Sequence, residues 1–223
     1  MQSTAVVIGA QDEVGHRICH DLDVRGYRVL KGRIGDFNSS VGDGWFEIDP
    51  MSTQSVNSSA AKLNQPLDAL VVNLDYRSEG SSEGIRDGQD YQALLAAYDY
   101  NAVGPIRMIK AFLPLLERSE DKRICVVTTA ESSNNNCYDT ANYMNHTSKA
   151  ALNMGLHILF NDLRPKGYHF RLYCKAPGEA AESVTDFAVE YFLRNRSMDE
   201  HSAKHSDENR LVLRNWEGRE IPW

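Results

Sequence analysis

The chain has 223 residues, 42% of them hydrophobic and 25% charged, with a formal net charge of −7. That length and apolar share suit one domain with a full core. The acidic balance argues against nucleic acid as a partner, and no apolar window is long enough to span a membrane.

Cys19, Cys125, Cys137 and Cys174 have no metal-ligand spacing and suit reduced thiols of a cytoplasmic protein. The amino terminus runs straight into an apolar strand-like stretch, with no basic flank and signal-type apolar region ahead of it. Ala5 to Ile8 is a β-branched run ended by Gly9, and predicts a first strand. A helical pattern follows through Val14, Ile18 and Leu22, stopping before Gly26. Tyr27 to Leu30 predicts a second strand, and a turn-rich stretch leads to Gly44. Trp45 to Ile48 predicts a third strand and Thr53 to Leu63 a polar helix. Leu67 to Val72 is apolar throughout its second half, as in a strand buried on both faces. The stretch 75–90 is rich in Ser, Gly and charge and predicts a loop. Tyr91 to Leu116 predicts one long helix, Ile124 to Thr128 a strand, and Asn142 to Arg164 a second long helix. Phe170 to Cys174 predicts a strand, Glu182 to Arg194 a helix, and Arg210 to Arg214 a last strand. Strands alternating with helices predict a parallel, doubly wound α/β sheet covered by helices on both faces, with 1–223 as a single domain. Ligands of such sheets bind outside the carboxyl ends of the strands.

A strand, then Gly9-Ala10-Gln11-Asp12-Glu13-Val14-Gly15, then a helix, is the context of a dinucleotide turn. Glycines there let the backbone approach a pyrophosphate resting on the helix amino terminus. Asp12 and Glu13 bring carboxylates to the same place and can satisfy the helix dipole themselves. Two readings stand side by side: a modified dinucleotide turn, and a self-capped helix that no longer binds nucleotide. Further on, Asn145 and Lys149 are four residues apart, which on a helix sets both on one face. His146 falls about 60° from the lysine and Tyr143 about 120°. His201 and His205, with Asp199 or Asp207, have a spacing that a metal could use; a solvated charged loop is the plainer reading, and no metal is expected.

The segment Ser148-Lys149-Ala150-Ala151-Leu152 resembles the active-site helix of the short-chain dehydrogenase/reductase family, Y-x-x-x-K, with Lys149 as the lysine and Asn145 where the tyrosine stands. The first turn resembles the family's T-G-x-x-x-G-x-G at Gly9 and Gly15, with Glu13 on the middle glycine. By this resemblance Gly9, Gln11, Gly15, Asp49 near the adenine, Asn73 and Lys149 are expected to border the cofactor. Lys31 and Arg33, after the second strand, suit the extra phosphate of NADP(H). Val72-Asn73-Leu74-Asp75 lies on the family's N-N-A-G, with Asp75 in place of its glycine. Asp99-Tyr100-Asn101-Ala102-Val103-Gly104-Pro105 resembles the fourth helix, whose asparagine, here Asn101, anchors a water linked to the lysine. Thr129 takes the place of the catalytic serine, with Ser132 and Ser133 as alternatives. Pro177-Gly178 resembles the P-G loop beside the nicotinamide, and Asn215 to Trp223 the family's tail.

The resemblance implies a Rossmann-type fold and an NADP(H)-dependent oxidoreductase of a small carbonyl or alcohol. The family's proton donor is its tyrosine, its pKa lowered by the lysine and the cofactor. Asparagine cannot supply that proton. Tyr143 is expected to substitute, if the helix begins after it. The alternative is a pseudoenzyme that keeps the fold as a binding or assembly module; a lyase or isomerase is a third. Self-association as a homodimer or homotetramer through the helices at 91–116 and 142–164 is also expected from the resemblance.

Overall fold

A computed structural model describes residues 2–35, 42–76, 90–175, 185–194 and 209–223. Eight strands form one sheet: β1 (Thr4–Ile8), β2 (Arg28–Arg33), β3 (Trp45–Glu47), β4 (Ala69–Asn73), β5 (Arg123–Thr128), β6 (His169–Cys174), β7 (Leu213–Asn215) and β8 (Glu220–Ile221). Their order is β3-β2-β1-β4-β5-β6-β7-β8. Every neighbouring pair is parallel except β7 and β8. The helices are α1 (Glu13–Val24), α2 (Thr53–Ala61), α3 (Tyr91–Tyr98), α4 (Gly104–Leu116), α5 (Tyr143–Leu163) and α6 (Thr185–Leu193). Strand order reverses between β1 and β4, which opens the crevice where such sheets take their ligands.

Alternate residues of each central strand feed opposite faces, as the two-residue period of a strand requires. Val6, Ile8, Leu70, Val72, Ile124 and Val126 pack on one face against α2, α4 and α5. Ala5, Val7, Ala69, Val71, Cys125 and Val127 pack on the other against α1 and α6. Both faces are covered, so β1, β4 and β5 are buried from end to end. Burial pushes the thiols of Cys19, Cys125 and Cys174 up to about 12, so these three stay protonated and unreactive at neutral pH.

Three expected elements differ. The single helix over 91–116 is two helices joined by a π-helical turn at Asp99–Val103. Pro105 has no N–H to give to the preceding turn, and the Gly104 N–H reaches back to the Asp99 carbonyl instead. The second strand runs on to Arg33, so Lys31 and Arg33 lie within it and not after it. The last strand is Leu213–Asn215, followed by the antiparallel β8, with Gly218 at φ +79° in the turn between them. Among the described residues no helix is long and apolar enough to cross a membrane.

Candidate active site

The dinucleotide turn is built by close backbone approach. Gly9 has φ +78°, and a Cβ on it would fall 1.9 Å from the Asn73 carbonyl oxygen. A Cβ on Gly15 would fall 2.0 Å from the Gly9 carbonyl oxygen. Gly9 is therefore required by the seat of the loop on β4, and Gly15 by the close return of α1 onto the loop itself, before any ligand is considered. Asp12 caps α1, accepting the Gly15 N–H at 2.6 Å. Asn73 Nδ2 donates to Asp12 Oδ1 and Oδ2, at 2.8 and 2.9 Å, and to the Gly9 carbonyl at 3.1 Å. A carboxylate thus sits at the helix amino terminus where a phosphate would rest. Gln11 Oε1 accepts the Ile34 N–H at 3.4 Å, tying the turn to the end of β2. Asp49 makes a local turn, accepting the Met51 N–H at 2.9 Å. Lys31 places its ammonium over the Trp45 ring, 5.6 Å from its centre, while Arg33 ends β2 at the ligand edge of the sheet.

At the carboxyl ends of β4, β5 and β6 a second group assembles. Lys149 is fully buried, donates to the Leu74 carbonyl, and lies 3.4 Å from Asp75 Oδ1. Lys175, just past β6, reaches Asp75 Oδ2 at 2.8 Å. The substitution of Asp75 for the family's glycine has therefore given the lysine an internal counter-charge. Asn101, carried by the π turn, accepts the Tyr76 N–H at 2.8 Å and donates to the Tyr76 carbonyl and to Ser148 Oγ, both at 3.1 Å. Lys149 and Asn101 thus clamp one short segment, residues 74–76, between α5 and the π turn.

Thr129, Glu131 and Asn145 form the third group. Asn145 and Lys149 do share a face of α5, and both are buried. The Asn145 amide donates to Glu131 Oε2, and Thr129 Oγ1 donates to the same oxygen at 3.5 Å. Asn145 Oδ1 is buried with no hydrogen bond. His146 Nδ1 faces the Glu131 carbonyl at 2.7 Å, and its Nε2 lies 3.4 Å from Asp139. Hydrogen bonds from Asn142 and then His146 hold the Asp139 carboxyl below its usual range. Ser132 and Ser133, the alternatives to Thr129, are spent on the carbonyls of Thr129 and Pro222.

Tyr143 does not meet the condition set for it. The helix begins at Tyr143 and not after it, following Asn142 in the left-handed region at φ 58°. On an ideal helix its position is about 120° around the axis from the lysine. Tyr100 is no better a donor: burial first, then the charges of Asp12, Asp75 and Asp49, push its phenol up to about 12, opposite to what proton delivery at neutral pH requires. Pro177 and Gly178, and the histidines at 201 and 205, lie outside the described residues. Among the described residues no cluster of His, Cys, Asp or Glu is arranged for a metal. Glu131 and Lys175 were missed in the sequence; their signal was position, each standing one to three residues past a central strand.

No family model matches the chain. It is 31% identical over 199 residues to 1-hydroxy-2-glutathionyl-2-methyl-3-butene dehydrogenase of Rhodococcus, covering 85% of this chain and 83% of that one. It is 29% identical over 166 residues to the C-signal protein of Myxococcus xanthus, covering 71% and 93%. In fold it is similar to a short-chain dehydrogenase from Burkholderia cenocepacia in complex with NADP, with a TM-score of 0.73, 18% identity and coverage of 92% and 95%. The chain belongs to the short-chain dehydrogenase/reductase family, with the Rossmann-like fold of those oxidoreductases.

Proposed function

We propose that the chain is a nicotinamide-dependent oxidoreductase of a small molecule, working without the family tyrosine. The carrying observation is the convergence of Lys149, Asn101, Thr129 and Asn145 at the carboxyl ends of the strands, beside the glycine turn. The named relatives support it: one is a dehydrogenase, and one neighbour carries NADP. A dinucleotide fits the frame. The Gly9–Gly15 turn presents the amino terminus of α1, and Asp12, which is exposed, would have to release both the Gly15 N–H and the Asn73 amide. Gly9, Gly15, Gln11 and Asn73 would border it, Arg33 favours the extra phosphate of NADP(H), and Lys149 would face the ribose. When bound, the cofactor supplies or takes a hydride. The protein orients the substrate with Thr129 and Asn145 and keeps Lys149 fixed through Asp75.

The test is calorimetric titration with NADPH and NADH, on the wild type and on Asp12→Ser, which keeps a capping oxygen and removes the charge. NADPH is expected to bind in the micromolar range, and the variant about tenfold tighter. If folded protein and variant both ignore both dinucleotides, the reading fails. The alternative, a retained fold serving as a binding module, then stands; it draws on the carboxylates of Asp12 and Asp75. We also propose that copies associate as a dimer or tetramer through α3, α4 and α5.

A further inference from the structure

In the family resemblance, two hydroxyl groups hold the substrate oxygen: one on the residue replaced by Thr129, one on the residue replaced by Asn145. Here both replacements turn to a carboxylate. Glu131 Oε2 accepts from the Asn145 amide and lies 3.5 Å from Thr129 Oγ1. Glu131 is held along its main chain too, its carbonyl 2.7 Å from His146 Nδ1. Asn145 is 4% exposed, and its Oδ1 is an acceptor with no donor. A buried acceptor in that state costs free energy until a donor arrives.

These features conflict with a carbonyl substrate. Its oxygen is partly negative and becomes more so as hydride reaches the carbon, which a neighbouring carboxylate opposes. A protonated imine reverses each term. Its nitrogen is positive, its N–H is a donor for Glu131 Oε2 or Asn145 Oδ1, and its charge disappears as hydride arrives. The carbon takes a hydride from the reduced nicotinamide dinucleotide, which is oxidised. The C=N π pair moves onto nitrogen, and a neutral amine results. No proton has to be delivered, so the missing tyrosine is not missed.

We propose that this site takes a cationic nitrogen, the protonated C=N of a small imine or the amine formed from it, in place of a carbonyl or alcohol. The proposal rests on the oxidoreductase reading for its hydride, but the nitrogen site itself can be tested apart from it. Two ring pairs of matched size serve as probes: 1-pyrroline against cyclopentanone as hydride acceptors, and pyrrolidine against cyclopentanol as ligands.

Pyrrolidine binding is measured by calorimetry without dinucleotide, on the wild type and on Glu131→Gln, which keeps shape and removes charge. Pyrrolidine is expected to bind and cyclopentanol not, and Glu131→Gln to weaken pyrrolidine about tenfold or more. NADPH consumption is expected with 1-pyrroline and not with cyclopentanone. Cyclopentanol binding as well as pyrrolidine, pyrrolidine binding unmoved by Glu131→Gln, or cyclopentanone being reduced as fast as 1-pyrroline would each overturn the proposal. Glu131-dependent pyrrolidine binding in a protein that ignores both dinucleotides would support the cation site and sink the oxidoreductase reading, so the two failures are distinct.

Discussion

Lys149 is fully buried, and an ammonium group taken out of water costs several kcal/mol unless it is paired. Asp75 supplies a charge 3.4 Å away and is itself held by Lys175 at 2.8 Å, so the lysine is fixed before any cofactor arrives. In the family pattern a glycine stands at that position. Asp75→Gly therefore transfers the task from the protein to the ligand. Without dinucleotide the variant is expected to lose about 3 kcal/mol of stability in urea unfolding. At saturating NADPH it should recover more of its melting temperature than the wild type gains, because binding adds stability by mass action. An unchanged urea midpoint would remove Asp75 as the partner that stabilises Lys149.

At the scale of elements, the seat of the first turn on β4 is the least forgiving joint. An alanine at Gly9 would need φ +78° and would place its Cβ 1.9 Å from the Asn73 oxygen. Left-handed strain of about 1–2 kcal/mol adds to overpacking of about 1–3 kcal/mol. Gly9→Ala should lower the urea unfolding free energy by about 2–5 kcal/mol with no ligand present; an unaffected variant would show that the turn can move away from β4. This joint was legible in the sequence, because a glycine between a β-branched run and a helix serves a left-handed turn or a close backbone approach. The buried strands were legible too, from their unbroken apolar runs. The π turn was not, since Pro105 is compatible with a helix start, and its effect depends on the turn before it. Nor was β8, whose two residues carry no period of their own. The site was half legible. Lys149, Asn101, Thr129 and Asn145 were placed by pattern, and the structure brings them together. Glu131 lay in a polar loop with no periodicity, and only the return of α5 beside that loop makes it a partner of Asn145. The start of α5 at Tyr143 was not legible either, because it follows Asn142 in the left-handed region, which the side-chain pattern does not reveal.

On the molecule as a whole, apolar side chains remain outside on neighbouring helices. Tyr91 and Leu95 of α3, Val103 of the π turn, and Met154 and Ile158 of α5 are exposed, Leu95 at 62% and Met154 at 65%. Met154 and Ile158 are four apart and form one stripe of α5. α4 and α5 approach closely where a Cβ on Gly155 would fall 2.5 Å from Ile106 Cδ1. A cavity of about 240 Å³ lined by Asn153, Met154, His157 and Trp223 opens beside the same stripe. Exposed apolar side chains on neighbouring helices are what a contact face would use, and a stable one buries on the order of 1,200–2,000 Å² in total. Copies of the chain joined through α3, α4 and α5 would cover it. Light scattering at micromolar concentration is expected to give twice or four times the monomer mass. Met154→Glu with Ile158→Glu should reduce it to the monomer, because each charge would be buried unpaired in the contact, while far-UV circular dichroism stays that of the folded chain. A wild type that scatters as a monomer would show that the exposed stripe faces water, and a double variant with unchanged mass would move the contact to another face.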